Sequence, residues 1–307
     1  MSAEARKAEG FIGADLSRAL AREGKLLRPL LVLLSARLGP DSKQDMTTLA
    51  ASVEMIHLAS LIHDDVIDDA SKRRGVAALH VRIGRTRAIL AGDWLLARAL
   101  SLAAPYHSGP LISFFCDRIE ELCRSEIVQD AQAGRLRTDM QSYLTRIDGK
   151  TGSLFRLACR AGGEASGADA ELLGILDDWA RALGRGFQMD DDVLDYTGRG
   201  GDWGKTPMAD LRSGLATLPL ILAREHEDVR LNRLLKSSGR RPLDLRRRKR
   251  IRSEVIRLGG VTAAGEAAQE AYAEVRRLTS LLPEHARPDF LTVVDRLERR
   301  GRAASAV

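Results

Sequence analysis

Apolar residues recur at three- and four-residue intervals along almost the whole chain, and no run alternates in the two-residue manner of a half-buried strand. The periodicity predicts helices over residues 27–38, 47–69, 85–104, 110–133, 138–161, 169–196, 208–227, 244–258 and 262–282. Breaker-rich stretches fall between them: "GPDS" at 39–42, "SGP" at 108–110, "AGGEASGAD" at 161–169 and "GRGGDWGKTP" at 198–207. Asp244 is placed to cap the helix that Gly259 and Gly260 end. There is no repeat of solenoid period, no low-complexity segment and no Pro/Ser-rich linker. The pattern therefore predicts an all-α protein folded as one large domain over residues 1–307.

Two of the predicted helices carry acid where apolar residues would be expected. In "LIHDDVIDDASKRRG", residues 61–75, an apolar run meets four aspartates and then Lys72, Arg73 and Arg74. On a helix Asp64 and Asp68 lie one turn apart on one face, with Asp65 and Asp69 beside them. Carboxylates so close repel one another, and beside an apolar core they need a neutralising partner. The spacing presents oxygens to a divalent cation that shares its shell with phosphate, as Mg²⁺ does. A solvated acidic helix end is the plainer reading of one such cluster. "FQMDDDVLDY", residues 187–196, repeats the arrangement with Asp191, Asp192 and Asp195, and adds Asp190. Two clusters facing one another across a helical bundle would form an acidic cage for several Mg²⁺ ions. A metal-bridged diphosphate keeps excess negative charge, so cations should converge on it. Arg73 and Arg74 follow the first cluster, Lys150 lies in "GKTGSLF", and Lys205 lies in "GDWGKTP".

Composition narrows the ligand class. The formal net charge is +6 and the isoelectric point is near 9.5. That charge suits anionic ligands such as diphosphates, or peripheral association with an acidic membrane surface. Aromatic residues make up only 4% of the chain, too few for a base-stacking nucleic-acid surface. The basic run "RRPLDLRRRKRIR", 240–252, reads as a solvated helix face with Leu245, Ile251, Val255 and Leu258 turned inward. Cys116, Cys123 and Cys159 form no CxxC pair, which predicts packed thiols in a reducing cytoplasm. The first ten residues contain no apolar signal core. The most apolar windows, such as "LLVLLSARL", read as too short or too charged to cross a membrane.

The ordered blocks "GKLLRP" (24–29), "EMIHLASLIHDDVID" (54–68), "RRG" (73–75), "AGDWLLARAL" (91–100), "GKTGSLF" (149–155), "FQMDDDVLD" (187–195) and "GKTPMADLRSGLATLP" (204–219) carry a resemblance. Over about residues 20–300 the chain resembles a trans-isoprenyl diphosphate synthase of the polyprenyl synthetase family. The resemblance implies the isoprenoid synthase fold, a bundle of roughly ten or more helices around a central cavity. It implies a homodimer, with pairing to a small subunit as the other arrangement. Asp64, Asp65, Asp68, Asp191, Asp192 and Asp195 would bind Mg²⁺ and the allylic diphosphate. Arg73, Lys150, Thr151, Gln188 and Lys205 would contact the allylic diphosphate, and Lys25, Arg28, His57 and Arg74 would hold isopentenyl diphosphate. Two positions depart from the pattern: Leu215 stands where the family often has Lys, and Ser125 where glycine is common.

The implied reaction is head-to-tail prenyl transfer. Metal ions and cationic side chains stabilise the departing diphosphate, and the allylic carbocation is attacked by the double bond of isopentenyl diphosphate. The proton goes to released diphosphate, since no side chain is an evident base. Aliphatic walls must keep water from the cation. One turn before Asp64 stand Ala59 and Ser60, and two turns before it Met55 and Ile56, each turn advancing about 5.4 Å. The bulky aromatic floor of short-chain relatives is absent here. The implied product is a trans-polyprenyl diphosphate longer than farnesyl, the precursor of a quinone side chain or similar lipid. The alternatives are a farnesyl or geranylgeranyl diphosphate synthase, a terpene cyclase or head-to-head synthase, and a non-catalytic subunit.

Overall fold

A computed structural model of the chain describes residues 13–20, 25–41, 45–73, 75–106, 109–134, 136–198, 208–235 and 243–305. The elements begin with α1 (Gly13–Leu20), α2 (Leu27–Ala36), α3 (Thr47–Ile67) and a hairpin of β1 (Lys72–Arg73) and β2 (Val76–Ala77). Next come α4 (Leu79–Ile83), α5 (Arg85–Ala103), α6 (Gly109–Gln132) and α7 (Met140–Ile147). A π-helical turn over Asp148–Gly152 leads into α8 (Ser153–Ala165) and α9 (Ala170–Thr197). The chain continues through α10 (Ala209–Ser213), α11 (Leu218–Arg224), α12 (Val229–Leu234), α13 (Leu245–Arg257), α14 (Gly260–Thr279) and α15 (Arg287–Ser305). The all-α expectation holds.

Where the helices differ from the periodicity, local chemistry explains it. The stretch 138–161 is interrupted by the π turn, and 208–227 breaks at Gly214, whose φ of +74° suits glycine. "AGGEASGAD" is not a loop throughout, because α8 runs on to Ala165. Its glycine serves packing: a Cβ on Gly162 would lie 2.1 Å from the Val32 carbonyl oxygen of α2. Helix α15 was not expected from the pattern, although Phe290, Val294 and Leu297 are buried at helical spacing along it. Aspartates begin several helices as side-chain caps, Asp139 to Ser142 N at 2.7 Å, Asp228 to Leu231 N at 2.9 Å and Asp244 to Arg247 N at 2.9 Å.

The described chain forms two compact units, each assembled from two stretches. The first draws on residues 1–116 and 157–176, the second on 117–156 and 177–307. In the first unit α3 packs chiefly on α5 and also on α2. Ala88, Ala91, Leu95 and Ala99 of α5 are buried, together with Val53, Met55 and Ile56 of α3. Small residues bring the two helices close: a Cβ on Gly92 would lie 2.3 Å from His63 Nε2. In the second unit Tyr143, Met189, Val193, Tyr196, Leu218, Ile251 and Val255 share one apolar core. Trp179 is fully buried beside it, donating from Nε1 to Thr279 Oγ1 at 2.8 Å and meeting the Phe290 ring edge-on.

Three surface expectations need correction. Only Cys159 is buried, whereas Cys116 and Cys123 are exposed on α6. Leu245 is exposed, so the inward face of α13 consists of Ile251 and Val255 with Leu258 half-buried. Some of that helix's arginines turn to backbone instead of solvent: Arg247 Nε reaches the Leu234 carbonyl at 2.8 Å, and Arg252 reaches Tyr196 and Thr197 at the end of α9. One described helix, Arg85–Tyr106, is long and apolar enough to cross a membrane, and only 33% of its most apolar window is buried.

Candidate active site

The first aspartate cluster closes α3 in the first unit. Ile62 and Val66 point into the core, which leaves Asp64 half-buried and Asp68 exposed at the last turn, while Asp65 is buried. Acid at a helix C-terminus sits against the negative end of the dipole, so cations should gather there. The short hairpin supplies one by folding Arg73 back, with Nε at 2.8 Å and Nη2 at 2.6 Å from Asp65 Oδ1. Arg85 supplies another, donating to the Val66 carbonyl at 2.7 Å and to Asp69 at 3.0 Å. Asp69 itself takes a left-handed φ of 50°, which ends the helix. Arg73 and Asp65 thus satisfy each other, and Asp64 and Asp68 are the more open carboxylates of the motif.

Lys25 and Arg28 lie at the start of α2, which packs on α3. His57 lies on α3, half-buried, two turns before Asp64. Ala59, Met55 and Ile56 are buried, and Ser60 is half-buried with its hydroxyl donating to the His57 carbonyl at 2.8 Å. Two further polar residues on α3 have no signal of their own in the sequence: Glu54, a buried acid, and His63, whose Nε2 lies 3.3 Å from Asp93. Arg74 and Lys205 lie outside the described residues.

The second unit assembles Lys150, Thr151, Gln188 and the second cluster. The π turn carries Lys150 and Thr151, and such turns gather at functional sites. Two glycines let it rest on α9, since a Cβ on Gly184 would lie 2.9 Å from Gly152 Cα. Arg185 then grips Asp148 through two bonds of 2.7 and 2.6 Å. Lys150 pairs with Glu126 of α6 at 2.6 Å. Ser125 packs against the same turn: a Cβ on Gly149 would lie 1.8 Å from its hydroxyl oxygen.

From this turn a chain of hydrogen bonds runs inward. Thr151 Oγ1 donates to Gln188 Oε1 at 2.8 Å, and Gln188 Nε2 donates to Asp192 Oδ1 at 3.0 Å. Asp192 Oδ2 accepts from the Tyr143 hydroxyl at 2.8 Å and from Leu218 N at 3.2 Å. Burial and the charge of Asp210 push the Asp192 carboxyl upward, and the Gln188, Tyr143 and Leu218 donors pull it back. Asp195 is also buried, accepting from Ala209 N at 2.9 Å and Asp210 N at 3.4 Å where α10 begins. Leu215 is half-buried in the same returning segment. Asp190 turns to the Tyr272 hydroxyl at 2.8 Å, and burial raises its carboxyl to about 7. Asp191 is ion-paired with Arg300. The four acids therefore have four different surroundings.

The donor chemistry of each motif, taken by itself, fits a hard divalent cation: Asp64 and Asp68 present carboxylate oxygens in the first unit and Asp191 in the second. Among the described residues no three His, Cys, Asp or Glu side chains gather closely enough to hold an ion by themselves. A cation held here must complete its shell with water or phosphate oxygens. The lysine and arginine side chains nearby suit the remaining charge of a diphosphate.

Comparison with known proteins agrees with this chemistry. A family model described as polyprenyl synthetase matches residues 12–255. The chain is 34% identical over 290 residues to the nonaprenyl diphosphate synthase of Mycobacterium tuberculosis, covering 92% of this chain and 85% of that protein. It is 37% identical over 221 residues to the heptaprenyl diphosphate synthase component 2 of Geobacillus stearothermophilus, covering 72% of this chain and 69% of the relative. Its structure is similar to the crystal structure of polyprenyl synthase from Caulobacter crescentus complexed with calcium and isoprenyl diphosphate. That match has a TM-score of 0.87 and 30% identity, covering 100% of this chain and 92% of that chain.

The inward hydrogen-bond chain makes a stability prediction. Asp192→Ala leaves the Tyr143 hydroxyl and the Leu218 amide buried without their acceptor, at a cost of about 1–3 kcal/mol each. Tyr143→Phe should cost about 1 kcal/mol, and Asp192→Ala should cost less in that background than in the native chain. Thermal or denaturant unfolding of the two single variants and the double variant measures this, and strict additivity would contradict the coupling.

Proposed function

Because the chain belongs to the polyprenyl synthetase family and is a prenyltransferase, we propose the following reaction for it. It condenses isopentenyl diphosphate head-to-tail with an allylic diphosphate, in a Mg²⁺-dependent reaction that gives a trans-polyprenyl diphosphate longer than farnesyl. The observation that carries this reading is that each unit holds its own aspartate motif among diphosphate-suited cations and donors. Asp64 and Asp68 stand at the end of α3, and Asp191 stands on α9 near the Lys150–Thr151–Gln188 group.

Asp64 and Asp68 would hold metal at the first motif and Asp191 at the second. When bound, the cation supplies electrostatic stabilisation of the departing diphosphate. Lys150 is held in place by Glu126, and Thr151 by Gln188, so both meet a diphosphate with little reorganisation. Asp65 aligns Arg73 beside the first motif, and Asp192 aligns Gln188 beside the second. Lys25, Arg28 and His57 serve isopentenyl diphosphate. The aliphatic faces of α3 and α5 keep water from the carbocation, and released diphosphate takes the final proton.

We also assign a homodimer. Along α5, Ile89 and Leu90 are exposed, and Trp94, Leu96 and Leu100 are only half-buried. Apolar surface of that extent on one helix calls for a partner. A second copy of this chain supplies a matching surface by two-fold symmetry. A small second subunit is the alternative, consistent with the relative named a component 2.

Three outcomes are expected. Activity should vanish in excess chelator and return with Mg²⁺, and Asp64→Ala or Asp191→Ala should lower turnover roughly 10²-fold or more with helical content retained. Full turnover in chelator would refute the metal role. Ala59→Phe or Ser60→Phe should shorten the product, read by chromatography after extended incubation with farnesyl diphosphate. An unchanged product distribution in both variants would show that the tail does not pass this turn. The native chain should scatter light as a dimer and Trp94→Glu as a monomer. A monomeric native chain would exclude the homodimer.

A further inference from the structure

The end of α15 lies against the second aspartate motif, and α14 braces both of them. Gly301 is buried, and a Cβ there would lie 2.1 Å from Asp190 Oδ2, so only glycine permits this approach. Tyr272 of α14 donates to the same Asp190 oxygen at 2.8 Å. Arg276, also on α14, bonds Asp295 at 2.6 Å and Glu298 at 2.5 Å on α15. These contacts set the register of α15, and the residue before Gly301 is Arg300. Its guanidinium lies 4.8 Å from the centre of the Phe187 ring and is ion-paired with Asp191. The two side chains are only 12% and 14% exposed.

Within the motif this pairing separates Asp191 from its neighbours. Asp192 is committed to Tyr143, Gln188 and Leu218, and Asp195 to the start of α10. Asp191 instead faces a guanidinium, which offsets its charge. A cation and Arg300 compete for one carboxylate. A diphosphate changes that competition, because its oxygens are acceptors that a guanidinium binds well. We propose that Arg300 is a built-in counter-ion that keeps Asp191 from divalent metal until a diphosphate is present to take the guanidinium. Metal binding at Asp191 and diphosphate binding are then thermodynamically coupled, each strengthening the other. Arg300 is in this sense a positioning residue, supplied from the far end of the chain. The inference rests on the proposed reading of Asp191 as a metal ligand.

The test uses the full chain, Mn²⁺ as the metal probe and inorganic diphosphate as the anion. Free Mn²⁺ is followed by electron paramagnetic resonance, against a protein-free control for the Mn²⁺–diphosphate complex. In the native chain, diphosphate should strengthen the Asp191-dependent Mn²⁺ binding. Arg300→Gln should bind Mn²⁺ alone about tenfold tighter than the native chain, and its strengthening by diphosphate should be about tenfold smaller, within the usual range of coupling. Arg300→Met, which keeps packing on the Phe187 ring, should do the same. Neither gain should survive Asp191→Asn. Asp191-dependent binding that is equal in the native chain and both Arg300 variants would overturn the counter-ion role and leave the metal reading intact. Mn²⁺ binding that Asp191→Asn never alters, with or without diphosphate, would overturn the metal reading itself.

Discussion

A carboxylate beside an apolar core must be met by a donor or a cation, and this constraint organises the protein around its aspartates. Desolvating an unpaired carboxylate costs far more than any single helix can return. Asp65 is therefore met by Arg73 from a short hairpin, and Asp192 by Tyr143, Gln188 and Leu218 from three different segments. Asp190 is met by Tyr272, and Asp195 by the amides that begin α10. The same bonds that neutralise the acids tie the chain's later segments to α9.

Close approach of backbones is the second requirement, and glycine meets it. Gly152 and Gly184 let the π turn lie against α9, which brings Thr151 to Gln188. Gly301 lets α15 reach Asp190, which brings Arg300 to Asp191. Gly162 seats α8 on the carbonyl side of α2. At these sites a glycine inside a helix loses some helix propensity and gains the short distance that a polar contact needs.

Repetition of the DDxxD pattern conceals a division of labour. In the first motif Asp65 is the buried partner of an arginine, Asp64 is half-buried and Asp68 is exposed at the helix end. In the second, Asp192 and Asp195 support the surrounding structure and Asp191 faces a cation. Identical residues thus differ in exposure and in the partners that meet them, because their surroundings differ in depth and in available donors.

The helical period made the all-α architecture legible, because burying a stripe of apolar residues needs only local spacing. The two acidic clusters and the cations near them were legible for a similar reason, since each is a short contiguous pattern. Arg300 was not legible: its partner lies 109 residues earlier, and α15 itself escaped the periodicity reading. Nor could sequence show that Cys116 and Cys123 are exposed, or that Gly162 serves packing and not a turn. Local spacing decides which face of a helix is apolar, and so the sequence by itself determined the helices and the residue types available for diphosphate chemistry. Which carboxylate is sealed by which donor depends on distances between segments remote in the chain, and only the tertiary structure decided that.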